Sequence, residues 1–319
     1  MKKIAVITSG GDAPGMNAAL RAVVRKAIFC GLEVTGIHRG FCGLMENEYS
    51  RMSLRSVSGI INRGGTILKT VRCPEVRTAA GMKKAVRTLK DLKIEGLIII
   101  GGDGSLAAGT AIAKHGIAVI NIPASIDNDI FGSDETIGFD TALNTAIEAI
   151  DKIRDTATSH ERVFIVEVMG RHHGFLALGV GVASGAEFII IPEIKTDLDS
   201  ICKQIKQARQ KGKTSLIMIY AEGAGDSHEL AAKIQKCTGY ETRVSSLGYI
   251  QRGGSPSGRS RILASQFGSA AVELIIKGKK SRLVVKTRGR ITDIPFSKAI
   301  ANTKRIDMAF YKMAKELAS

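Results

Sequence analysis

The sequence has no tryptophan, and aromatic residues make up only 5% of its 319 positions. Stacking platforms for single-stranded nucleic acid are therefore scarce. Six prolines stand against 35 glycines, a balance that suits tight strand-to-helix turns better than disordered linkers. No apolar run reaches the roughly 18 residues that a membrane helix needs. The apolar start, Met1-Lys-Lys-Ile-Ala-Val-Ile-Thr8, is too short for a signal peptide. The five cysteines, at 30, 42, 73, 202 and 237, are odd in number and irregular in spacing. That pattern argues against both a disulfide framework and a zinc site. We read a chain from a reducing compartment and expect a cytoplasmic location.

Charge of one sign is in excess. Lys and Arg total 46 against 30 Asp and Glu, a formal net charge of +16. The basic residues are spread through the chain, without a tail or stripe. Together with the scarcity of aromatics, this points away from nucleic acid. Phosphorylated small molecules are the other candidates, since Arg and Lys bind them one or two at a time. A solvated basic surface would give the same count.

Short apolar runs alternate with segments of helical period, so the expected class is α/β with mainly parallel sheets. Strands are expected at about 3–8, 33–37, 97–100, 118–122, 162–168, 188–191, 215–220 and 242–247. Helices are expected at about 16–30, 79–92, 197–210 and 306–317, with a long one ending near 277. Pro123 should end its strand, because proline cannot donate to a sheet ladder.

Three stretches carry chemistry. Ser9-Gly-Gly-Asp-Ala-Pro-Gly15 joins a strand to a helix, and bare glycine lets a phosphate approach backbone N–H groups at a helix start. It matches neither common phosphate-loop pattern. Leu97-Ile-Ile-Ile-Gly-Gly-Asp-Gly-Ser105 is the second. Its glycines would let a triphosphate lie against the backbone, and Asp103 could hold Mg²⁺. A helix cap at Ser105 is the plainer reading. The third is Ser125-Ile-Asp-Asn-Asp129, where a strand empties into a loop. Ligands bind at that edge of an open α/β sheet. Two carboxylates so close repel unless a cation or proton lies between them, and no basic residue stands among them. A polar turn of Asn and Asp would read the same way.

These motifs, with Glu167-Val-Met-Gly-Arg171 and Ile250-Gln-Arg-Gly-Gly-Ser255, resemble those of bacterial ATP-dependent 6-phosphofructokinases over essentially the whole chain. The resemblance implies two Rossmann-like lobes with the active site in the cleft between them. The larger, ATP-binding lobe would comprise 1–138 and about 251–305. The smaller, fructose-6-phosphate-binding lobe would comprise 139–250 and about 306–319. It also implies a homotetramer that transfers the γ-phosphoryl group of MgATP to the 1-hydroxyl of fructose 6-phosphate. Asp127 matches the catalytic base, flanked by Ser125 and Asp129, and Arg171 the cation near the transferred group. Gly11, Arg72, Cys73, Gly102, Asp103, Gly104 and Ser105 match nucleotide positions, with Asp103 on the metal. Ile126, Met169, Gly170, Glu222, Tyr249, Ile250, Gln251 and Arg252 match substrate positions. Arg162 and Arg243 match arginines that reach the sugar phosphate from a neighbouring subunit.

The resemblance further implies a second site, between subunits, for an ADP-type effector. Arg21, Ala22, Val23, Val24 and Arg25 match it, as do Arg154, Gly185, Ala186, Glu187, Lys211, Lys213, Thr214 and Ser215. Arg21 and Arg25 are helix neighbours that repel each other, and an anion between them would reverse that sign. Glu187 could hold the effector's Mg²⁺. Leu54 replaces an arginine of the common pattern and Ser215 a histidine, so a weakened or altered response to ADP is expected. Ala124, Ser125 and Tyr249 also depart from the pattern, where Gly, Thr and His are usual. Relatives that use pyrophosphate typically carry Asp at the position of Gly104 and Lys at that of Ala124, so Gly104 argues for ATP. A catalytically silent sugar-phosphate sensor is the rival from another class. The presence of Asp103, Asp127 and Arg171 argues against it.

Overall fold

The computed structural model describes residues 1–318. In chain order the first elements are β1 (Lys3–Ser9), α1 (Met16–Phe29), β2 (Glu33–Ile37), α2 (Phe41–Glu46), β3 (Tyr49–Met52), α3 (Ala79–Asp91), β4 (Gly96–Gly101), α4 (Asp103–Ala113), β5 (Ala118–Ser125) and β6 (Ile137–Gly138). Next come α5 (Phe139–Ser159), β7 (Val163–Val168), α6 (Phe175–Ser184), β8 (Phe188–Ile190), α7 (Leu198–Gln210), β9 (Leu216–Ala221), α8 (Ser227–Thr238) and β10 (Thr242–Ser246). The chain ends with α9 (Gly258–Ile276), β11 (Arg282–Thr287), β12 (Arg290–Pro295), α10 (Phe296–Ile300) and α11 (Met308–Leu317). It divides into two compact units, Met1–Thr141 with Arg252–Lys304, and Ala142–Gln251 with Arg305–Ser319.

The first unit is built on an eight-stranded sheet in the order β12-β11-β5-β4-β1-β2-β3, with β6 paired to β5. Its centre is parallel, and β3 and β12 are antiparallel additions at the edges. Leu97, Ile98, Ile99 and Ile100 of β4 are fully buried, as a central strand covered on both faces requires. Gly109 lets α4 lie close on this sheet, since a Cβ there would be 2.7 Å from Ile99 Cδ1. That contact aims the start of α4, at Asp103, over the carboxyl ends of the strands. Pro123 does not end β5. It is the last residue paired with β4, opposite Gly101, and Ala124 and Ser125 then pair with β6. The missing N–H falls where the strand changes partners. The β11–β12 hairpin was not anticipated. Its turn residues, Arg288 and Gly289, both have positive φ, the conformation that a two-residue hairpin turn demands.

The second unit holds a parallel four-stranded sheet in the order β10-β7-β9-β8. Its core packs Val163, Ile165, Leu216 and Met218 against Ile201 and Ile205 of α7 and Leu230 and Ile234 of α8. Cys202 and Cys237 join α7 to α8 in a disulfide, which corrects the expectation drawn from cysteine spacing. Two consecutive helices on one sheet face bring distant cysteines together without any regular sequence interval. Cys30, Cys42 and Cys73 are free.

Candidate active site

The carboxyl ends of β4 and β5 lie side by side, with Gly101 opposite Pro123. Asp103 follows the end of β4 by two residues and Asp127 follows the end of β5 by two, so the two acids leave neighbouring strands of one sheet. The loop after β5 is stitched by its own polar groups. Ser125 Oγ accepts from the Asp127 N–H at 3.2 Å and donates to Asp129 Oδ1 at 3.1 Å. Asn128, buried and at φ 53, donates to the Asp134 carbonyl and accepts from the Thr136 N–H. Thr136 Oγ1 donates to the Ser125 carbonyl at 2.5 Å. Asn tolerates this left-handed conformation better than most residues. Ile126 is buried beneath the loop.

The cation missing from the local sequence comes from far along the chain. Lys304 donates to the Asp134 carbonyl at 3.3 Å, and the charges of Asp129, Asp134 and Glu135 act on it. Burial outweighs them and lowers its pKa to about 8. Glu135 is itself buried between Arg259 and Lys286. Neither Lys304 nor Glu135 carries a local sequence signal that marks it for this place.

The glycine turns behave differently from one another. At Gly104 an added Cβ would meet only Arg77 Nη2, at 3.7 Å, and at Gly102 only the Ala124 carbonyl, at 3.6 Å. Neither has positive φ. The fold therefore does not demand glycine at these positions, and both open onto unfilled space beside Asp103. That space suits a phosphate chain with a Mg²⁺ ion, for which Asp103 offers the carboxylate. Ser105 does not cap α4, because Gly102 holds that position without a side-chain bond. Ser105 Oγ is instead buried without a hydrogen-bond partner. Gly11 is crowded: Arg252 Nη1 donates to the Asp12 carbonyl at 3.1 Å, and a Cβ on Gly11 would be 2.5 Å from that nitrogen. Arg72 is exposed and Cys73 half-buried. Burial, then a hydrogen bond with Cys42, pushes the Cys73 thiol up to about 12.

In the second unit, β7 is followed by Met169, Gly170 and Arg171. Gln251 Oε1 accepts the Met169 N–H at 2.9 Å, which leaves Gln251 Nε2 buried without a partner. The Gly223 N–H donates to the Gly170 carbonyl at 3.2 Å. A Cβ on Gly223 would be 2.1 Å from the Arg171 carbonyl, so Glu222 and Arg171 are set beside each other by backbone contact. Glu167, at the end of the same strand, accepts from Ser227 and Ser246 and ties β7 to α8 and β10. His173 Nδ1 lies 3.5 Å from Glu193, while His172 is exposed. Tyr249 and Ile250 are exposed at 83% and 56%. Arg162 Nε donates to Glu241 Oε2 at 2.7 Å, and Arg243 pairs with the other oxygen of the same carboxylate. The Arg162 bond is the chief cause holding Glu241 below the usual carboxylate range. Glu241 was not singled out from the sequence, although it stands two residues from Arg243.

The residues matched to an effector site divide between the units. Arg21 and Arg25 lie on α1 of the first unit, with Ala22 half-buried and Val23 and Val24 buried. Among the described residues neither arginine forms an ion pair. In the second unit Arg154 donates to the Ser184 carbonyl at 2.6 Å, next to Gly185 and buried Ala186. Glu187 is committed: one oxygen pairs with Lys213 at 2.7 Å and the other accepts the Ile217 N–H at 2.6 Å. It holds β8 to β9, with each carboxylate oxygen engaged once within the second unit. Lys211 and Thr214 are exposed, and Ser215 Oγ meets Thr158 Oγ1 at 3.3 Å. A cavity of about 570 Å³ lies beside the Glu187–Lys213 pair, lined by Ile189, Ile191, Ile201 and Tyr311. It is formed by the second unit alone.

A family model described as phosphofructokinase matches residues 3–275. The ATP-dependent 6-phosphofructokinase of Bacillus subtilis strain 168 is 51% identical over 318 residues, spanning all of both chains. That of Clostridium botulinum strain Hall is 52% identical with the same coverage. A crystal structure of Pichia pastoris phosphofructokinase in the T-state superposes with a TM-score of 0.91 at 36% identity. It covers 99% of this chain and 37% of the yeast chain. The chain belongs to the phosphofructokinase family. Among its described residues no helix is long and apolar enough to cross a membrane.

Proposed function

We propose that this chain transfers the γ-phosphoryl group of ATP to the 1-hydroxyl of fructose 6-phosphate, giving fructose 1,6-bisphosphate and ADP. The observation that carries this reading is the emergence of Asp103 and Asp127 from adjacent parallel strands, with open glycine backbone beside the first. Phosphoryl transfer needs positioning and charge neutralisation more than covalent help from the protein. Asp127 takes the proton of the attacking hydroxyl. Ser125 fixes the Asp127 backbone and holds Asp129 through the same hydroxyl. Arg171 is the cation assigned to neutralise the charge that develops on the transferred group. When bound, Mg²⁺ neutralises charge on the nucleotide phosphates, and Asp103 is the residue that would hold it.

On this reading the first unit is the ATP-binding lobe and the second the fructose-6-phosphate-binding lobe. Gly11, Arg72, Cys73 and residues 102–105 serve the nucleotide. Ile126, Met169, Gly170, Glu222, Tyr249, Ile250, Gln251 and Arg252 serve the sugar phosphate. The enzyme is a cytoplasmic homotetramer, and each sugar site receives Arg162 and Arg243 from a neighbour. The Glu241 bridge supports that role, because it presents two arginines as a pair at the edge of a sheet. An ADP-type effector binds between subunits at Arg21, Arg25, Arg154, Lys211 and Lys213. Leu54 and Ser215 weaken the response to it. The open space at Gly104 and the full-length likeness to ATP-dependent relatives favour ATP over pyrophosphate as donor. A coupled assay with fructose 6-phosphate tests this: turnover with ATP and none with pyrophosphate is expected, and the reverse would overturn it.

A further inference from the structure

The free thiols Cys42 and Cys73 and the Glu75 carboxylate lie outside the proposed chemistry as a group. Cys42 sits in the first turn of α2 and is buried. Cys73 immediately precedes a one-turn helix, Pro74–Arg77, and Glu75 lies in that turn, exposed to solvent. One ligand atom from each of the three falls within 4.8 Å of the others. Around a tetrahedral zinc-type ion, with metal–sulfur bonds of about 2.3 Å and metal–oxygen bonds of about 2.1 Å, ligand atoms stand roughly 3.6–3.8 Å apart. The cluster therefore needs to contract by about 1 Å or less to hold such an ion. Pro74 stiffens the link between Cys73 and Glu75. Two sulfurs and one oxygen select borderline and soft cations over Mg²⁺. Three protein ligands with a solvent-facing side also leave the fourth position open.

We propose that Cys42, Cys73 and Glu75 form a binding site for a thiophilic divalent cation of the zinc and cadmium class, and that its occupancy excludes the nucleotide. Binding forms two metal–sulfur bonds and one metal–oxygen bond and releases the two thiol protons to solvent, with no change of oxidation state. The second half of the proposal rests on the reading of Arg72 and Cys73 as nucleotide-binding residues. A cation held there locks Cys73 into its coordination shell and takes a fourth ligand on the solvent side beside Arg72. The ATP side of the active site is then obstructed by position and not by charge, since the two released protons leave the net charge of the cluster unchanged. Cys42 has no part in the proposed catalytic or binding machinery, which makes it the clean position to alter.

The test is a titration of the reduced, desalted protein with cadmium under anaerobic conditions, read by thiolate-to-metal charge-transfer absorbance. One saturating transition per chain is expected. Cys42→Ala should weaken it by about 10- to 100-fold or more, the range already seen for losing a supporting group in metal sites. Cys42→Ser, nearly the same size, serves if the alanine variant folds poorly. Absence of the band overturns the site. So does a band of equal strength in both Cys42 variants, which would put the cation on other thiols such as exposed Cys30. At a buffered free cadmium concentration, the parent should show a raised KM for ATP and Cys42→Ala should not. Chelation of cadmium by ATP would affect both proteins alike. Tight, Cys42-dependent binding with an unchanged ATP KM would overturn the exclusion and the placement of ATP beside Cys73, while the cation site stands.

Discussion

Arg252 lies against Gly11: its guanidinium donates to the Asp12 carbonyl at 3.1 Å, and a Cβ on Gly11 would be 2.5 Å from the donating nitrogen. The two residues belong to motifs separated by most of the chain, and only glycine lets them touch. Because the obstructing atom is the end of a flexible side chain, Gly11→Ala should leave thermal stability nearly unchanged. It should push Arg252 out of place and lower kcat/KM for fructose 6-phosphate by about 10²-fold, the usual result of a misplacement near 1 Å. Unchanged kinetics in a well-folded Gly11→Ala variant would remove this contact from the mechanism.

Arg243→Ala should raise the fructose 6-phosphate KM and leave the ATP KM nearly alone. Glu241→Gln should do the same more weakly, since it loosens Arg162 and Arg243 without removing either. If Arg162 and Arg243 act across a subunit boundary, hybrids of Arg243→Ala and Asp127→Asn chains contain some wholly intact sites. Activity should then reappear on mixing. Hybrids that stay inactive while subunit exchange is demonstrated would contradict a shared site.

Lys304 makes stability depend on pH. Burial holds its folded-state pKa near 8, below the unfolded value of about 10.4. Between these values the unfolded chain binds more protons, so the Lys304 contribution to stability rises with pH across that window. Below about pH 8 the cost of keeping the half-buried ammonium charged is fully present. The unfolding free energy of the parent minus that of Lys304→Met should therefore increase from pH 8 to 10, by up to about 1.4 kcal/mol per pH unit. A difference that is flat or falls over that range, in denaturant melts, would contradict the assignment.

The Cys202–Cys237 bond closes a stretch of 35 residues. By the chain-entropy relation such a cross-link contributes about 3–4 kcal/mol. Dithiothreitol should lower the denaturant midpoint of the second unit in the parent and leave Cys202→Ser unmoved. Equal midpoints with and without reductant in the parent would show that the bond carries no stability.

The α/β class was legible because buried parallel strands such as Leu97–Ile100 write themselves as apolar runs bounded by glycine. The chemical loops were legible too, since Asp103 and Asp127 stand at strand ends. What stayed hidden is whatever the fold gathers from afar. Lys304 reaches the Asp129 loop from near the end of the chain, and Arg252 meets Asp12 across 240 residues. Glu241 looked like an ordinary surface acid until β10 paired with β7 and set Arg162 beside Arg243. Pro123 misled because its strand changes partners at that residue, where the missing donor is not needed. The disulfide was hidden for the same reason as Lys304, because helix packing on a sheet has no fixed interval in sequence.

Asp127 is assigned here as the base of the proposed ATP-dependent phosphoryl transfer. The most direct measurement is the initial rate of fructose 1,6-bisphosphate formation from ATP by the parent and by Asp127→Asn, at saturating substrates. A fall in kcat of roughly 10²–10⁴-fold is expected, the usual worth of a positioned general base, with a much smaller change in fructose 6-phosphate affinity. A variant that folds normally and turns over within a few-fold of the parent would contradict it.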